Sequence, residues 1–378
     1  MTHAVVVVGA GLFGLTVAER VANDLGKRVL IVERRPHIGG NASSRIDPET
    51  GIEIHPHGPH IFHTSNDRVW EYVNRFTAFN GYRHHGWTVH KGETYPLPIN
   101  LGTINQFFRS SLKPAEARGM IRRQAGGLDA AHARNMEEKA IALVGRPLYE
   151  AFIEGYTAKQ WQTDPADLPA DLISRLPVRY TYDNRYFSDR YEGIPVDGYC
   201  AWFERMTDSP LIETALSTDF FDVRDELPRV PIVYTGPIDR FFDYSRGHLG
   251  WRTLDLVLET VNVSDYQGTS IMNFADREVR PTRTTEFHHF HPEWTRPTAS
   301  TVVMHEYSRF ADGHDELYYP VNSVRDRSVL REYRRLANDQ DEILFGGRLG
   351  TYQYLDMHMA IASALSLYEG TLRGLLSG

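Results

Sequence analysis

Cysteine is nearly absent from the chain: Cys200 is its one thiol among 378 residues. One thiol builds no intrachain disulfide, so stability has to come from core burial, and a reducing compartment fits such usage. No motif around Cys200 would make it a nucleophile, and it reads as a buried small side chain. Apolar runs of about 18 residues are lacking too, so no membrane-spanning helix is expected. The apolar stretch Ala4–Leu15 has no basic segment before it and carries glycines, which argues against a signal peptide. These points place the chain in the cytoplasm, with no membrane partner. Internal repeats and low-complexity tracts are missing. Positive charge is in the minority, 41 Lys and Arg against 49 Asp and Glu, for a net charge of −8. Nucleic acid wants a basic face and is not an expected partner, although a local cationic cleft for a small phosphate ligand remains open. Hydrophobic residues reach 41%, enough for a real core, and the length predicts two or three packed units.

The first forty residues are the most informative. Ala4–Val8 is a β-branched run of the kind buried on both faces of a parallel sheet. Gly9, Gly11 and Gly14 follow as a G-x-G-x-x-G turn enclosing Leu12 and Phe13, and Leu15–Ala22 has helical spacing. A second strand, Arg28–Val32, ends on Glu33, 19 residues past Gly14. Each residue has a physical task in a dinucleotide fold: Gly9 makes the tight turn, Gly11 admits a pyrophosphate and Gly14 lets helix and strand pack. The helix N-terminus offers its N–H groups to phosphate, and Glu33 accepts ribose hydroxyls. After Glu33 come Arg34 and, further on, Gly39-Gly40-Asn41. A basic residue and a Gly-Gly pair there resemble the FAD-binding fold of amine-oxidase and glutathione-reductase-like flavoproteins, so FAD is expected rather than NAD.

Residues from about 104 to 160 read as helices. Asn135–Glu138 has a capping-box shape, and Arg146–Tyr156 reads as one helix. From about 175 to 300 the pattern alternates as strands. The end of the chain returns to strand, glycines and helix, with the last helix from Asp356 to Tyr368; it resembles the C-terminal helix of FAD folds, whose N-terminus often points at the flavin.

Eight segments together are similar to the bacterial UDP-galactopyranose mutase family, with the actinobacterial pattern nearest. They are Glu33–Ala42, Gly58–Thr64, Gly155–Trp161, Arg175–Arg179, Asp183–Phe187, Tyr234–Asp239, Tyr318–Pro320 and Phe345–Asp356, in the family's order and across essentially the whole chain. The resemblance implies an α/β fold: a Rossmann-like FAD domain with an inserted helical bundle and an antiparallel sheet. The expected boundaries are 1–80 with about 200–245 and 325–378 for the FAD domain. About 81–165 would be the helical substrate domain, and about 166–199 with 246–324 the sheet domain. The implied reaction interconverts pyranose and furanose forms of a nucleotide sugar without net redox change. Reduced flavin N5 attacks the anomeric carbon, UDP leaves, the ring opens and recloses, and UDP returns. An external reductant such as NAD(P)H would keep the FAD reduced, and a homodimer is the expected assembly.

Site roles follow from the resemblance position by position. Arg175 and Arg283 match the arginines that hold the diphosphate, where a planar fork meets two oxygens. Tyr186, Tyr319 and Tyr354 match tyrosines on the diphosphate and sugar side. Tyr156 and Trp161 match the uridine side, Phe152 lines that pocket and Asn273 contacts uracil. Asp356, at the start of the last helix, reads both as an N-cap and as an acid near the site. Gly9, Gly11, Leu12, Phe13, Gly14, Glu33, Arg34, Gly40, Asn41, His60, His63 and Arg348 are the expected cofactor-binding set. The cluster His55, His57, His60 and His63 has no recognised zinc spacing, so no metal is expected there. His288, His289 and His291 read as decoration on a sheet. Gln162–Ser174 reads as a mobile lid between Trp161 and Arg175.

The sequence departs from the family pattern at His57, Pro59 and Pro281, and Gly81–Trp87 also differs. These positions neighbour the sugar pocket, so a 6-deoxy hexose or pentose nucleotide sugar remains an alternative substrate. A flavin oxidoreductase and a non-catalytic nucleotide-sugar binder that keeps FAD as structure are the competing function classes.

Overall fold

A computed structural model describes residues 2–173, 178–294 and 299–377. The chain divides into two compact units. The first comprises Met1–Gly81, Asp189–Trp251 and Leu317–Gly378; the second comprises Tyr82–Ser188 and Arg252–Glu316.

The first unit is built on a five-stranded parallel sheet in the order Ile343–Phe345, Ile232–Tyr234, Val5–Val8, Val29–Val32, Ile212–Ala215. Val5, Val6 and Val7 are fully buried at its centre. Each such side chain stabilises by about 1.5–3 kcal/mol relative to exposure. The first helix, Leu12–Leu25, ends where Gly26 turns left-handed at φ 62° and donates to the Val21 carbonyl. The C-terminal helix Met357–Leu367 packs along it.

One expectation for this unit is corrected. The alternation read between 175 and 300 is interrupted by a helix, Gly198–Thr207. Tyr199, Trp202, Phe203 and Met206 recur at helical spacing and are all buried, which is the signal that Pro and Gly punctuation obscured. Cys200 lies on this helix half-buried rather than buried, its thiol donating to the Ser44 carbonyl at 2.5 Å. Burial raises its pKa, which keeps it an inert thiol.

In the second unit a helical cluster and a sheet share one body. The sheet runs Trp251–Val261, Thr301–Phe310, Arg283–Glu286, Ile271–Phe274, Gly86–His90, Glu93–Leu97. Its pairs are antiparallel except Ile271–Phe274 with Gly86–His90, which is parallel. The expected capping box at Asn135 is half formed. Its side chain accepts from Glu138 N at 2.9 Å, while the Glu138 carboxylate turns to Arg134 instead. The helix read over Arg146–Tyr156 breaks at Ile153 into Arg146–Phe152 and Glu154–Trp161. Within Gln162–Ser174, Pro165–Asp167 and Ala170–Ile173 form two 3-10 turns. Leu168 and Ile173 are buried in the helical core there, and Ser174, the last residue of the expected lid, lies outside the described residues.

Candidate functional site

The glycine turn separates packing demands from ligand demands. A Cβ at Gly14 would stand 2.0 Å from the Gly9 carbonyl oxygen, and one at Gly9 (φ +102°) 2.1 Å from Thr235 Oγ1. Both glycines are therefore required by the chain's own contacts. Gly11 is different. Its φ is −73°, which any residue adopts, and a Cβ there would meet nothing within 4 Å. Neither backbone nor neighbours require glycine at this position, so its bareness fits the close approach of a group from outside the chain. Gly39 lies in a bridge beside Gly11, and a Gly40 Cβ would sit 3.1 Å from the Gly11 Cα. Glu33 is buried and accepts from Ala10 N at 2.7 Å and Arg35 N at 2.8 Å. Each carboxylate oxygen keeps a further lone pair for a hydroxyl. Arg34 is exposed, whereas Arg35 bonds Asn41 Oδ1 at 2.7 Å. Leu12 and Phe13 bury their side chains and offer only backbone N–H groups of the first turn. The Phe13 ring fills the space a Gly346 side chain would need, 2.2 Å from its ideal Cβ. Donors, bare glycine and helix start together fit a dinucleotide diphosphate.

The histidine segment is organised by hydrogen bonds. His55 Nδ1 accepts from His60 N at 3.0 Å, and His60 Nδ1 donates to Gly58 O at 2.7 Å. Burial, then the neighbouring His55, pushes the His60 pKa down to about 3, so the ring is neutral at physiological pH. His63 Nδ1 meets Asp189 Oδ2 at 2.7 Å, and Ser65 donates to the other oxygen at 2.6 Å. Asp189 was not legible as a site residue in the sequence; it lies 126 residues from His63.

Tyr319 and Tyr354 stack at 5.8 Å, and the Arg348 guanidinium lies over Tyr354 at 5.2 Å. Arg348 also donates to the carbonyls of Tyr318 (3.2 Å) and Leu355 (2.8 Å), tying together the two segments that carry these tyrosines. Asp356 occupies the N-cap position without a side-chain capping bond. Its carboxylate partners Tyr354, whose pKa is raised by burial, then by Tyr319 and Asp356. Of the two readings of Asp356, simple capping is the one the geometry does not carry. Tyr318 and Tyr352 are buried, and Tyr352 donates to the Gly250 carbonyl.

The second unit brings Arg283, Tyr186 and Asn273 onto ordered positions. Glu306, 1% exposed, accepts from Arg283 Nε at 2.8 Å and Nη2 at 2.7 Å. Tyr186 is exposed, with its ring 5.1 Å from His84 and 5.0 Å from Phe187. His84 is buried, receives a 3.1 Å contact from the Tyr82 hydroxyl, and has its pKa lowered to about 3 by burial, then by Arg283. Asn273 Nδ2 donates to Trp87 O at 2.8 Å. Tyr156 and Trp161 are half-buried on one helix. Phe152 is buried among Tyr95, His90 and Phe107, so its ring serves the helical core. Arg175 lies outside the described residues.

Lys159 was missed although it sits inside the Gly155–Trp161 motif. Its ammonium donates to the carbonyls of Phe274 (2.7 Å), Val279 (2.8 Å) and Pro281 (3.2 Å). A Gly155 Cβ would lie 2.3 Å from the Ala275 carbonyl oxygen. One helix face thus fixes the turn that leads into Arg283. His288 and His289 lie on a 3-10 turn, Phe287–Phe290, beyond the strand end and not on a sheet. No helix of the described residues is long and apolar enough to cross a membrane.

Comparison with known proteins agrees with this geometry. The family described as UDP-galactopyranose mutase matches residues 151–354, and a NAD(P)-binding Rossmann-like domain matches residues 7–76. A probable UDP-galactopyranose mutase of Klebsiella pneumoniae is 41% identical over 96% of this chain and 92% of its own. A dTDP-fucopyranose mutase of Escherichia coli is 38% identical over 96% of this chain and 97% of its own. A reduced UDP-galactopyranose mutase of known crystal structure shares the fold with TM-score 0.75 at 16% identity, covering 99% of this chain and 94% of that one. A putative protoporphyrinogen oxidase from Exiguobacterium shares it with TM-score 0.63 at 13% identity, covering 98% of each chain, so fold alone does not separate isomerase from oxidase. Sequence identity does, and the chain belongs to the UDP-galactopyranose mutase family of flavin-dependent isomerases.

Proposed function

We propose that this enzyme interconverts the pyranose and furanose forms of nucleotide-linked galactose, with UDP-galactose as substrate and FAD, in its reduced form, as cofactor. The observation that carries the reading is the pairing of buried Glu306 with Arg283. A cation fixed in orientation before ligand arrives suits the diphosphate whose charge grows as the sugar bond breaks. Tyr186, whose ring lies beside His84, supplies a neutral hydroxyl, and neutral His84 adds polarity without charge. Tyr156 and Trp161 offer aromatic faces to the base, Asn273 a fixed amide, and Phe152 supports them from the core. Arg175 is the second diphosphate arginine of this reading. In the first unit Gly9, Gly11, Gly14, Glu33, Arg34, Gly40, Asn41 and the backbone of Leu12 and Phe13 take FAD. His60 and His63 would hold its ring, and Arg348 keeps Tyr319 and Tyr354 in place. The bound flavin supplies the nucleophile. An external reductant such as NAD(P)H maintains it, the enzyme works in the cytoplasm, and the assembly is a homodimer.

A second reading replaces galactose by a 6-deoxy hexose on dTDP. The Escherichia coli relative named a dTDP-fucopyranose mutase matches over nearly the whole chain. The departures from the family pattern at His57, Pro59 and Pro281, and across Gly81–Trp87, leave room for this alternative. The test is kcat/KM for UDP-galactofuranose against dTDP-fucofuranose under reducing conditions. A higher value for the first supports the proposal; a higher value for the second moves the assignment to the 6-deoxy sugar.

A further inference from the structure

We propose that Asp265, Glu286, His288 and His289 bind one divalent transition-metal ion, with Zn2+ as the reference cation. Their ligand atoms lie within 4.8 Å of one another. His288 Nδ1 stands 3.2 Å from Glu286 Oε1, and His289 Nε2 stands 3.2 Å from Asp265 Oδ1 and 3.5 Å from Glu286 Oε2. Ligands about 2.0–2.1 Å from a tetrahedral ion are separated from each other by roughly 3.3–3.4 Å, so these spacings already approximate the edges of such a site. Two imidazoles and two carboxylates form a mixed nitrogen–oxygen set, which suits zinc and its borderline neighbours better than calcium or magnesium.

The carboxylates are also held from behind. Glu286 is fully buried, and its two oxygens accept from Tyr266 N at 2.8 Å and Gln267 N at 2.9 Å. Asp265 Oδ1 accepts from Gly268 N at 2.7 Å. Such supporting bonds fix ligand orientation and leave further lone pairs for an ion. The His288 and His289 rings lie 3.9 Å apart, and the Thr301 hydroxyl stands 3.1 Å from the same His288 Nδ1. The alternative for the cluster is ion pairing: without metal the imidazoles donate to the two carboxylates. Binding would displace any proton on the ligating nitrogens. A bound ion would join the segment around Asp265–Ser270 to the turn Phe287–Phe290. Both contribute to a cleft of about 400 Å³ that includes Trp87, Thr269, Ser270 and His289. Among the described residues a second, three-membered group is His63, Asp356 and His358. There His63 Nδ1 already meets Asp189 and Asp356 partners Tyr354.

The experiment uses the flavin-loaded enzyme stripped with a chelator and titrated with zinc chloride in a calorimeter, in parallel with cobalt chloride followed by visible absorbance. One equivalent is expected to bind, with a tetrahedral cobalt spectrum and a raised thermal midpoint. His289→Gln and Asp265→Asn keep hydrogen-bonding groups at both positions. Each is expected to weaken binding by about tenfold or more, with unchanged far-ultraviolet circular dichroism. Absence of saturable binding would overturn the proposal. So would binding that survives both substitutions, since the ion would then sit elsewhere.

Discussion

The Glu306 carboxylate, buried in its strand, grips one edge of the Arg283 guanidinium at 2.8 and 2.7 Å. The arginine is thereby set in one orientation before any ligand is present, which reduces the ordering that binding has to supply.

Glu306→Gln keeps the shape and removes the charge that fixes Arg283. The expected result is a fall in kcat/KM for the nucleotide sugar of about tenfold, from the loss of a charge-assisted hydrogen bond. Arg283→Lys cannot reproduce the fork and should cost more, on the order of a hundredfold. Steady-state kinetics on reduced enzyme, with thermal melts as a control for folding, measure both. Unchanged kinetics in Glu306→Gln would remove the orienting role.

Gly11 and Gly14 should respond in opposite ways to alanine. At Gly11 the added methyl meets nothing within 4 Å and the backbone is already ordinary. Stability is expected to change by less than about 1 kcal/mol, while flavin content falls sharply. At Gly14 the methyl would sit 2.0 Å from a carbonyl oxygen, so the fold itself should weaken. Flavin absorbance per mole of protein and denaturant unfolding of the flavin-stripped variants separate the two effects.

His84 is expected to make the enzyme acid-sensitive. Burial and Arg283 lower its folded pKa from 6.5 to about 3, so the unfolded chain takes up a proton that the folded chain refuses. Its contribution is complete above pH 6.5 and is lost as pH falls toward 3. The slope approaches about 1.4 kcal/mol per pH unit within that window. His84→Gln should flatten the stability profile between these limits relative to wild type. His60, lowered to the same range, keeps a residual slope in the variant. Parallel profiles for the two proteins would refute the assignment.

Lys159 should control the turn before Arg283. Lys159→Met retains the stem but removes donors to three carbonyls. About 1–3 kcal/mol of stability should be lost for carbonyls left unpaired, together with weaker nucleotide-sugar binding. Equilibrium unfolding and KM are the measurements. A stability loss without a binding change would confine Lys159 to packing.

What was legible in the sequence follows the range of the interactions involved. Gly9 to Glu33 are close in the chain, and their turn, helix and strand emerged where expected. Arg283 and Tyr186 could be named from their motifs, but Glu306 and His84 could not. Their meaning comes from strand pairing and a loop contact that no local spacing announces. The Gly155–Trp161 motif was read for its aromatics, while Gly155 and Lys159 serve the fold by meeting a turn more than a hundred residues away. Ile153 interrupts a pattern that looks continuous, because apolar periodicity does not mark a break between two helices. Leu168 and Ile173 lie in the segment read as a mobile lid, and no local spacing announces that each is buried in the helical core.

The most direct test of the flavin-isomerase account is furanose-to-pyranose conversion measured by chromatography. One enzyme preparation is assayed oxidised and after dithionite reduction, against a panel of UDP- and dTDP-linked sugars. The account predicts conversion of at least one sugar by the reduced enzyme and essentially none by the oxidised enzyme. Equal conversion in both states, or none with any sugar after reduction, would contradict it.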